Sequence, residues 1–384
     1  MPTRYDVFAE VIEKSPCRPK DLSFNTPVYI HLSNLIENNW IKKTDEGILK
    51  PVVNLKTRSA KKIIEYSLKN NFNLNIWFSS NFPNILEILS KTQPDLNPKE
   101  LSGNSKNSEI IKFLIKNQFI LNYQKKPKKG TLLKNKIFDY LLIYNESKLE
   151  IGENILEYVK IEKLVLGTKK IEINPFSIKI FEFLTGSAQL EGSTVNIGET
   201  IDILMKDIYP NKPQKDIQMV KNLNIAFSYV MEHLEEDLTL EHIKELNKLC
   251  LFSLHKGSGE FKKNHNKIQG NSNFKTAYPK EVIPKLMNFC EIFNSIKSRE
   301  DAVKNLGYVH NELQHIHPFS DGNSRVTRLI VNWLLIKLAL PILILKQGSF
   351  DKYMSLTKLS NKRDDNELGI FLLYLVYHEY LMQK

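Results

Sequence analysis

Apolar residues recur at helical spacing over most of the chain, and stretches with strand character are few and short. Near the start, residues 4–15 place their apolar side chains on one helical face, a short second helix opens at Arg18, and a third helix spans residues 27–39. Two apolar stretches then flank a charged tip at residues 42–47, which predicts a β-hairpin. The beginning of the chain is therefore expected to form three short helices followed by one hairpin.

The same order of residue types returns 79 residues further along the chain. Residues 97–102 repeat residues 18–23, and residues 114–120 repeat residues 35–41. A period of this length indicates two tandem domains and not a solenoid. Three short helices followed by a hairpin resemble a winged helix-turn-helix module. The expected bounds are 1–72 for the first module, with a connector helix at its end, and 73–150 for the second.

The remainder of the chain is predicted to be mostly helical from residue 175 onward, after a link at 151–175 with some strand character. A Gly-containing polar segment from residue 257 to 278 interrupts the helical pattern. The helices are expected near 176–191, 198–207, 215–235, 239–254, 280–297, 300–314, 350–361 and 366–382. The fold class is thus mainly α.

Composition indicates packed domains without a membrane span. The hydrophobic content of 42% is enough for real cores, no run of 18 apolar residues occurs, and the first residues form no apolar leader. Cys17, Cys250 and Cys290 lie far apart without metal-binding spacing, so we expect buried reduced thiols. These features predict a soluble, unexported protein of the cytoplasm.

The net charge of +11 is unevenly distributed. Residues 1–150 contain 24 Lys and Arg against 15 Asp and Glu, whereas residues 151–384 contain 30 against 28. A basic region beside a nearly neutral one suggests a nucleic-acid partner, and tandem winged helices usually bind DNA. Two alternatives stay open: the chain is simply rich in lysine, or the modules bind proteins.

A polar stretch runs from His317 to Arg325 in the order His-Pro-Phe-Ser-Asp-Gly-Asn-Ser-Arg, and Arg328 follows. The apolar residues after it predict a buried helix, which Asp321 and Asn323 are suited to begin. A polar loop that enters a helix N-terminus presents unpaired backbone N–H groups, which attract anions. The sequence therefore predicts an anion site at this point.

The residue types in this stretch suit phosphate chemistry. Gly322 lets the backbone approach a phosphate, and Arg325 can hold phosphate oxygens in a bidentate fork. Asp321 beside that anion is a natural ligand for Mg²⁺, and His317 can take a proton from an incoming hydroxyl. Any one of these residues alone would fit a capped helix with a satisfied histidine, but the complete set favours the anion site.

The stretch resembles the signature of the Fic family, His-Pro-Phe-x-(Asp/Glu)-Gly-Asn-(Gly/Lys)-Arg with a second arginine three positions on. Fic proteins typically transfer AMP from ATP to a protein hydroxyl. The resemblance implies that His317 is the general base and that Asp321 holds Mg²⁺. The nucleotide-binding residues that it implies are Gly322, Asn323, Ser324, Arg325 and Arg328. Ser324 departs from the usual glycine or lysine, although its backbone N–H can still donate.

A second resemblance lies upstream, where Ser187 to Gly192 fit the family's inhibitory motif, (Ser/Thr)-x-x-x-Glu-(Gly/Asn). In relatives with this motif the glutamate pairs with the second signature arginine and blocks productive binding of the γ-phosphate. Here the pair would be Glu191 and Arg328. The alternative is an ordinary helix that ends at Gly192.

The polar segment before the signature resembles the β-hairpin flap of Fic proteins. Such a flap holds a target segment by strand addition and places its hydroxyl near His317. The alternative is a surface hairpin without this role. The implied target-binding residues are Lys267, Ile268, Gln269 and Gly270.

Together these features predict a helical Fic domain over residues 155–384, with its inhibitory helix near 176–191, behind the two winged-helix modules. The expected function is a protein adenylyltransferase that uses ATP and Mg²⁺ and is inhibited by Glu191. Its partners would be a target protein with a Ser, Thr or Tyr hydroxyl and, through the modules, DNA. No membrane partner is expected, and a homodimer stays open. The alternatives are a DNA-binding regulator whose Fic fold senses nucleotide and an enzyme that removes AMP from its target.

Overall fold

A computed structural model of the chain describes residues 2–101, 104–153, 157–268 and 270–383. The chain divides into two compact units, each built from several segments. The first comprises Met1–Thr92, Pro98–Lys112 and Lys134–Gly152; the second comprises Gln93–Asn97, Phe113–Leu133 and Glu153–Lys384. The predicted domain bounds 1–72, 73–150 and 155–384 stay predictions.

Helices make up most of the described residues, as the apolar spacing predicts. In the first part of the chain they are α1 (Arg4–Lys14), α2 (Tyr29–Glu37), α3 (Leu55–Lys69), α4 (Leu74–Trp77), α5 (Phe82–Thr92), α6 (Ser105–Lys116) and α7 (Lys136–Tyr144). They continue with α8 (Tyr158–Leu166), α9 (Ile178–Leu190), α10 (Ile197–Lys206), α11 (Gln214–Glu232), α12 (Leu240–Leu251) and α13 (Pro279–Ser295). The last are α14 (Arg299–Ile316), α15 (Asn323–Lys337), α16 (Gln347–Leu356) and α17 (Asp365–Gln383). The antiparallel strand pairs are β1 (Ile41–Lys43) with β2 (Leu49–Pro51), and β3 (Ile120–Gln124) with β4 (Lys129–Leu132).

The first unit begins as the sequence predicts. The side chain of Thr3 accepts the N–H of Asp6, and the Asp6 carboxylate accepts the N–H of Thr3 at 2.6 Å, so a capping box begins α1. Apolar residues of α1, α2 and the first hairpin then form one core, in which the ring of Phe8 meets Trp40 edge-on at 4.7 Å. Short 3-10 turns at Pro19–Asp21 and Lys99–Leu101 replace the two predicted short helices.

The internal repeat is present in the backbone. Asn39 and Gln118, which are 79 residues apart, both adopt left-handed conformations, with φ values of 57° and 61°. The N–H of the following residue then donates to the carbonyl of Leu35 at 2.8 Å in the first copy and of Leu114 at 2.9 Å in the second. Each copy leads from a helix through the same turn into a hairpin. The assignment of these copies to winged-helix modules stays a prediction.

The second unit is a helical core organised around α14, which packs against α13, α15 and α17. Both α11 and α12 pack against α15, whose apolar residues from Leu329 to Leu335 are buried as predicted. The strand character expected over 151–175 is wrong for residues 158–166, because α8 lies there and buries Ile161 and Val165 in the core. No helix in the described residues is long and apolar enough to cross a membrane.

The predicted flap differs from its expected form. Among the described residues of 267–274 there is no strand, and Gln269 lies outside the described residues. Side-chain bonds take the place of a ladder here: the Thr276 hydroxyl donates to the Asn266 carbonyl at 2.7 Å, and the Asn271 amide ties the loop to the carbonyl of Lys358 at 3.0 Å. The segment therefore forms an irregular loop where a β-hairpin was predicted.

Candidate active site

The polar stretch forms the loop between α14 and α15, and Gly322 makes its last turn possible. Gly322 has a φ of +79°, a left-handed conformation that favours glycine. A Cβ atom added there would lie 2.7 Å from Nδ2 of Asn247 on α12. That same Nδ2 donates to the carbonyl of Asp321 at 2.9 Å. A side chain at position 322 would thus displace the residue that fixes the loop.

The N-terminus of α15 is open to an anion. The N–H of Val326 makes the first helical bond, to the carbonyl of Gly322 at 3.1 Å. Within the described ranges, no protein acceptor lies on the N–H groups of residues 323–325, and no acidic residue occupies the first turn. Three N–H donors at the positive end of a 15-residue helix form a phosphate-sized cradle.

Neither predicted capping residue caps this helix. Asn323 turns back over the loop, where its Oδ1 accepts the N–H of Phe319 and its Nδ2 donates to the Phe319 carbonyl, both at 2.9 Å. The Asp321 carboxylate accepts the N–H of Gly322 at 2.6 Å. Both side chains therefore stabilise the loop and leave the N–H groups of α15 to a ligand.

His317 stands at the start of the loop in a geometry that suits a general base. It follows α14 in a left-handed conformation with a φ of 48°, and only 8% of the residue is exposed. Nδ1 lies 3.2 Å from the carbonyl of Gln314, and since a carbonyl can only accept, Nδ1 carries the proton. Nε2 then keeps its lone pair for an incoming hydroxyl proton.

The electrostatics keep this imidazole neutral. Burial, aided by the nearby ammonium groups of Lys262 and Lys358, lowers the pKa of His317 to about 4, although Asp321 and the bond to Gln314 act in the opposite direction. The ring is therefore unprotonated at neutral pH. A neutral imidazole can accept a proton, whereas an imidazolium cannot.

Asp321 is the residue placed to hold a metal ion. Half of its side chain is exposed, and its only cationic neighbour within ion-pair distance among the described residues is Arg325, at 3.2 Å. Mg²⁺ commonly takes one or two protein carboxylates together with substrate phosphate oxygens. An accessible carboxylate beside an anion cradle fits this requirement.

The Arg325 side chain is buried, and not all of its N–H donors are paired. Its side chain is 4% exposed, its Nη2 atom meets Asp321, and its Nε atom has no hydrogen-bond partner in the described residues. A buried unpaired donor is costly, so such an atom calls for a functional explanation. An anion over the first turn of α15 would supply one. Ser324, the next residue upstream, is also buried in this turn.

The predicted contact between Arg328 and Glu191 is present. Nη2 of Arg328 donates to Oε1 of Glu191 at 2.9 Å and to the carbonyl of Ser187 at 3.0 Å, and Nε donates to the Ser187 hydroxyl at 2.8 Å. The arginine side chain is 2% exposed and the glutamate side chain 17%. The two motifs, 137 residues apart, therefore meet at one guanidinium group.

Glu191 is ionised in this arrangement. Burial alone would raise the pKa of its carboxyl, but the charges of Arg328, Lys358 and Arg325 outweigh burial and hold the pKa below its ordinary value. Lys358 and Tyr353 line the small cavity that Glu191 and Arg328 share. The Glu191 carboxylate thus lies where the charges of Arg328, Lys358 and Arg325 all act on it.

Close packing fixes the helix that carries this carboxylate. Gly186 of α9 lies against the backbone of Leu345, where an added Cβ would stand 1.9 Å from the carbonyl oxygen. The helix ends at Leu190, and the chain turns at Gly192, whose φ is +94°. Ser187 and Glu191 are therefore presented to Arg328 by a closely packed helix that is followed by a glycine turn.

The flap residues lie in the irregular loop and not on a strand. Lys267 and Gly270 are exposed, and Ile268 is half-buried with its carbonyl bonded to the N–H of Asn271 at 3.2 Å. Gln269 lies outside the described residues. Their role toward a target stays a prediction.

Sequence reasoning missed several residues that build the site from a distance. Asn247 bridges two loops, because its Oδ1 accepts the N–H of Gly259 at 2.9 Å while its Nδ2 holds Asp321. Lys262 donates from Nζ to the carbonyl of Ile316 at 3.2 Å. No spacing rule connects such residues with the signature. For Lys262, the only possible signal was a lysine beside the apolar residue Phe261 in a loop, which is compatible with burial.

A second group of potential metal ligands lies at the α11–α12 turn, where His233, Glu236 and His242 bring one ligand atom each within 4.8 Å of the others. Nδ1 of His242 accepts the N–H of Thr239 at 3.3 Å, so the ring proton sits on Nε2. That Nε2 faces the Glu236 carboxylate at 3.4 Å. In this tautomer His242 is a donor to Glu236 and not a metal ligand.

Comparison with known proteins agrees with the geometry. Residues 237–335 match the model of the Fic/DOC family. A protein adenylyltransferase Fic of Drosophila persimilis is 28% identical over 189 residues, which are 48% of this chain and 37% of that protein. The Drosophila melanogaster protein of the same name is 28% identical over the same share of this chain and 38% of its own length.

The chain thus spans less than two fifths of these curated relatives. A crystal structure of a Fic-domain-containing signalling protein from Bacteroides thetaiotaomicron has a TM-score of 0.48 and 23% identity, covering 59% of this chain and 94% of that one. The family match includes the whole loop between α14 and α15. Over residues 237–335 the chain is therefore similar to the Fic/DOC family.

Proposed function

We propose that the protein is an adenylyltransferase that moves AMP from ATP onto a hydroxyl group of a target protein. The observation that carries the proposal is the juxtaposition of a neutral, correctly protonated His317 with the unpaired donors of α15 and Arg325. The names of the Drosophila relatives support the same reaction. One side of this loop can activate a hydroxyl, and the other can hold phosphates.

The reaction follows from these groups. The target hydroxyl oxygen forms a bond to the α-phosphorus of ATP, the bond to pyrophosphate breaks, and Nε2 of His317 receives the hydroxyl proton. The N–H groups of residues 323–325 and the Arg325 guanidinium stabilise negative charge on the phosphate oxygens. Mg²⁺, which Asp321 would hold, supplies further charge neutralisation when bound.

Glu191 inhibits this site. Its carboxylate occupies the guanidinium edge of Arg328, which a γ-phosphate would otherwise engage. A γ-phosphate in that place would be repelled by the ionised Glu191 carboxylate and would find Arg328 already paired. The Ser187 bonds to Arg328 would persist without Glu191, so the arginine would stay in position for the nucleotide.

The exposed residues Lys267 and Gly270 are proposed to bind the target segment, by addition of a strand that the partner supplies. The acceptor would be a Ser, Thr or Tyr hydroxyl. A homodimer stays open. The three cysteines are free and buried, which suits a reducing compartment such as the cytoplasm.

DNA binding through the N-terminal modules is part of the proposal, and the two copies support it unequally. The α2 sequence contains no lysine or arginine, and Tyr29 and Ile30 on it are 70% and 84% exposed. The equivalent α6 exposes Lys106, Lys112 and Lys116. Phosphate contacts would therefore come from the second copy, while α2 suits a protein partner better. Binding of the full chain to duplex DNA should weaken steeply with salt; binding that ignores salt would favour the protein-interaction role.

Removal of AMP from a modified target is the second candidate. The observation that favours it is the ionised Glu191 carboxylate near the phosphate cradle, where it could orient a water molecule. Release of free AMP from a modified target by the parent protein, and its loss in Glu191→Gly, would identify this activity.

The test of AMP transfer uses the Glu191→Gly protein in a cell lysate with Mg²⁺ and ATP labelled at either the α- or the γ-phosphate. AMP transfer predicts labelled protein bands with α-label only, and none when Mg²⁺ is chelated. Label from the γ-phosphate would indicate phosphoryl transfer instead. Absence of both labels would remove the adenylyltransferase proposal.

A further inference from the structure

The end of α14 carries carbonyl groups that the helix itself cannot satisfy, and the polar segment at 257–278 supplies their partners. The carbonyl of His315 accepts the N–H of Ala277 at 2.9 Å, and the carbonyl of Ile316 accepts Nζ of Lys262 at 3.2 Å. The carbonyl of Pro318 accepts the backbone N–H of Lys262 at 2.8 Å. Lys262 therefore donates hydrogen bonds to backbone carbonyls on both sides of His317.

Lys262 is buried, and the residue before it packs against the signature loop. The residue is 6% exposed, and its neighbour Phe261 forms a bridge to Phe319, with the two rings 5.5 Å apart. Burial lowers the pKa of Lys262 to about 8, with Glu281 acting in the opposite direction. The ammonium group is thus still mostly protonated at neutral pH, although it is buried beside the catalytic loop.

We infer that Lys262 is a positioning residue for the proposed general base, holding the left-handed turn at His317 through the carbonyls of Ile316 and Pro318. Its ammonium charge also acts to lower the pKa of the imidazole. The turn needs such support, because a non-glycine residue at a φ of 48° is strained. The charged groups that face His317 are Lys262, Lys358 and Asp321. This inference rests on the proposed transfer reaction for its kinetic consequences only.

The kinetic test compares Lys262 variants in the Glu191→Gly background. Lys262→Met keeps the apolar stem and removes the ammonium, so the Ile316 carbonyl loses its donor. We expect transfer at pH 7 to fall about 10–100-fold through kcat, with the KM for ATP little changed, because misplacement of a reacting group by about 1 Å can cost 100-fold. The acid limb of the pH–rate profile should move to higher pH.

Two further variants separate charge from packing. Lys262→Arg keeps a charged donor and should restore most of the rate and the acid limb. Lys263→Met removes the neighbouring lysine, whose side chain is 84% exposed, and should change nothing. Should the methionine variant fail to fold, Lys262→Gln keeps a donor without charge and should still move the acid limb upward.

A readout that needs no activity is the titration of the His317 imidazole by NMR, assigned by its loss in His317→Ala. We expect a midpoint of about 4 in the parent, because burial lowers the pKa of His317, and a higher midpoint in Lys262→Met and Lys262→Gln. An unmoved midpoint would overturn the inference, even if the rate fell. A Glu191→Gly protein without transfer activity would instead refute the proposed function, while the titration would still decide the role of Lys262.

Discussion

Two buried clusters of charge in the second unit differ in how completely they are satisfied. Glu379 on α17 is fully buried, and its two oxygens receive Nζ of Lys179 at 2.5 Å, Nζ of Lys346 at 3.0 Å and the Gln118 amide at 2.8 Å. Arg325 is almost as buried, yet it has one half-exposed partner and an unpaired Nε. The Glu379 carboxylate is thus paired through both oxygens by groups of the protein itself, whereas the Arg325 guanidinium is not fully paired.

The difference separates charges that serve the fold from charges that serve a reaction. A buried ion whose partners all lie within the protein stabilises one arrangement of α9, α17 and the turn at Gln118. A buried cation beside three free helix N–H groups costs stability until an anion arrives. Glu191 lies between the two cases, because it supplies an anion from within the chain to the neighbouring Arg328 and leaves Arg325 unpaired.

The largest expected effect is on catalysis. His317→Ala in the Glu191→Gly background should lower AMP transfer by about 10²–10⁴-fold, the usual contribution of a general base. Thermal unfolding should show that the fold survives, since the substitution leaves the α15 cradle untouched. Near-normal transfer by a folded His317→Ala protein would take His317 out of this role.

Glu379→Ala should affect stability in place of catalysis. Among the described residues it leaves Lys179 and Lys346, whose side chains are 15% and 12% exposed, with only Glu182 as a carboxylate partner, and breaking a buried pair typically costs about 3–5 kcal/mol. Denaturant unfolding measures the loss. Glu87→Ala, which breaks an exposed pair with Lys91, is the control and should cost less than about 1 kcal/mol. Equal losses in the two variants would contradict the comparison.

The Glu379 cluster should also give the protein part of its sensitivity to acid. Burial would raise the pKa of Glu379, but Lys346 and Lys179 outweigh it and hold the pKa at about 2, against an ordinary 4.5. The stabilisation is fully present above pH 4.5 and is lost as the pH falls from there toward 2. The difference in unfolding free energy between the parent and Glu379→Ala should therefore shrink over that window and stay constant above it.

Glu191→Gly should cost less stability than Glu379→Ala. Arg328 keeps both of its bonds to Ser187, so only one charge-assisted hydrogen bond disappears, worth about 1.5–3 kcal/mol. Chemical denaturation of the two variants side by side gives the ranking. A larger loss in Glu191→Gly would mean that this carboxylate serves the fold.

The sequence was sufficient for the parts of the site that are local. A glycine that lets the backbone approach an anion, a buried helix after it and an imidazole before it follow from residue types within a dozen positions. The meeting of Glu191 with Arg328 could be predicted only through a family motif, because no periodicity connects residues 137 positions apart. The helical fold was predictable for the same local reason: apolar spacing marks each helix on its own.

What could not be predicted depends on tertiary contacts. Asn247 and Lys262 satisfy carbonyls of the signature loop from separate segments, and such pairings leave no trace in local spacing. The resemblance to the Fic flap predicts a hairpin, but in this segment the Thr276 side chain, and not a neighbouring strand, satisfies the Asn266 carbonyl. The prediction of strand character at 158–166 is wrong because isoleucine and valine, which are typical of strands, also occur on the buried face of a helix, as they do in α8.

The central claim is that Glu191 restrains an otherwise complete transferase, and the most direct measurement is the rate of AMP incorporation by the parent, Glu191→Gly and Glu191→Gly/Arg328→Ala proteins. Removal of the carboxylate should raise the rate roughly 5–150-fold, the usual range for a regulatory coupling, and removal of Arg328 should lower it again. A Glu191→Gly protein that is folded and no more active than the parent would contradict the claim.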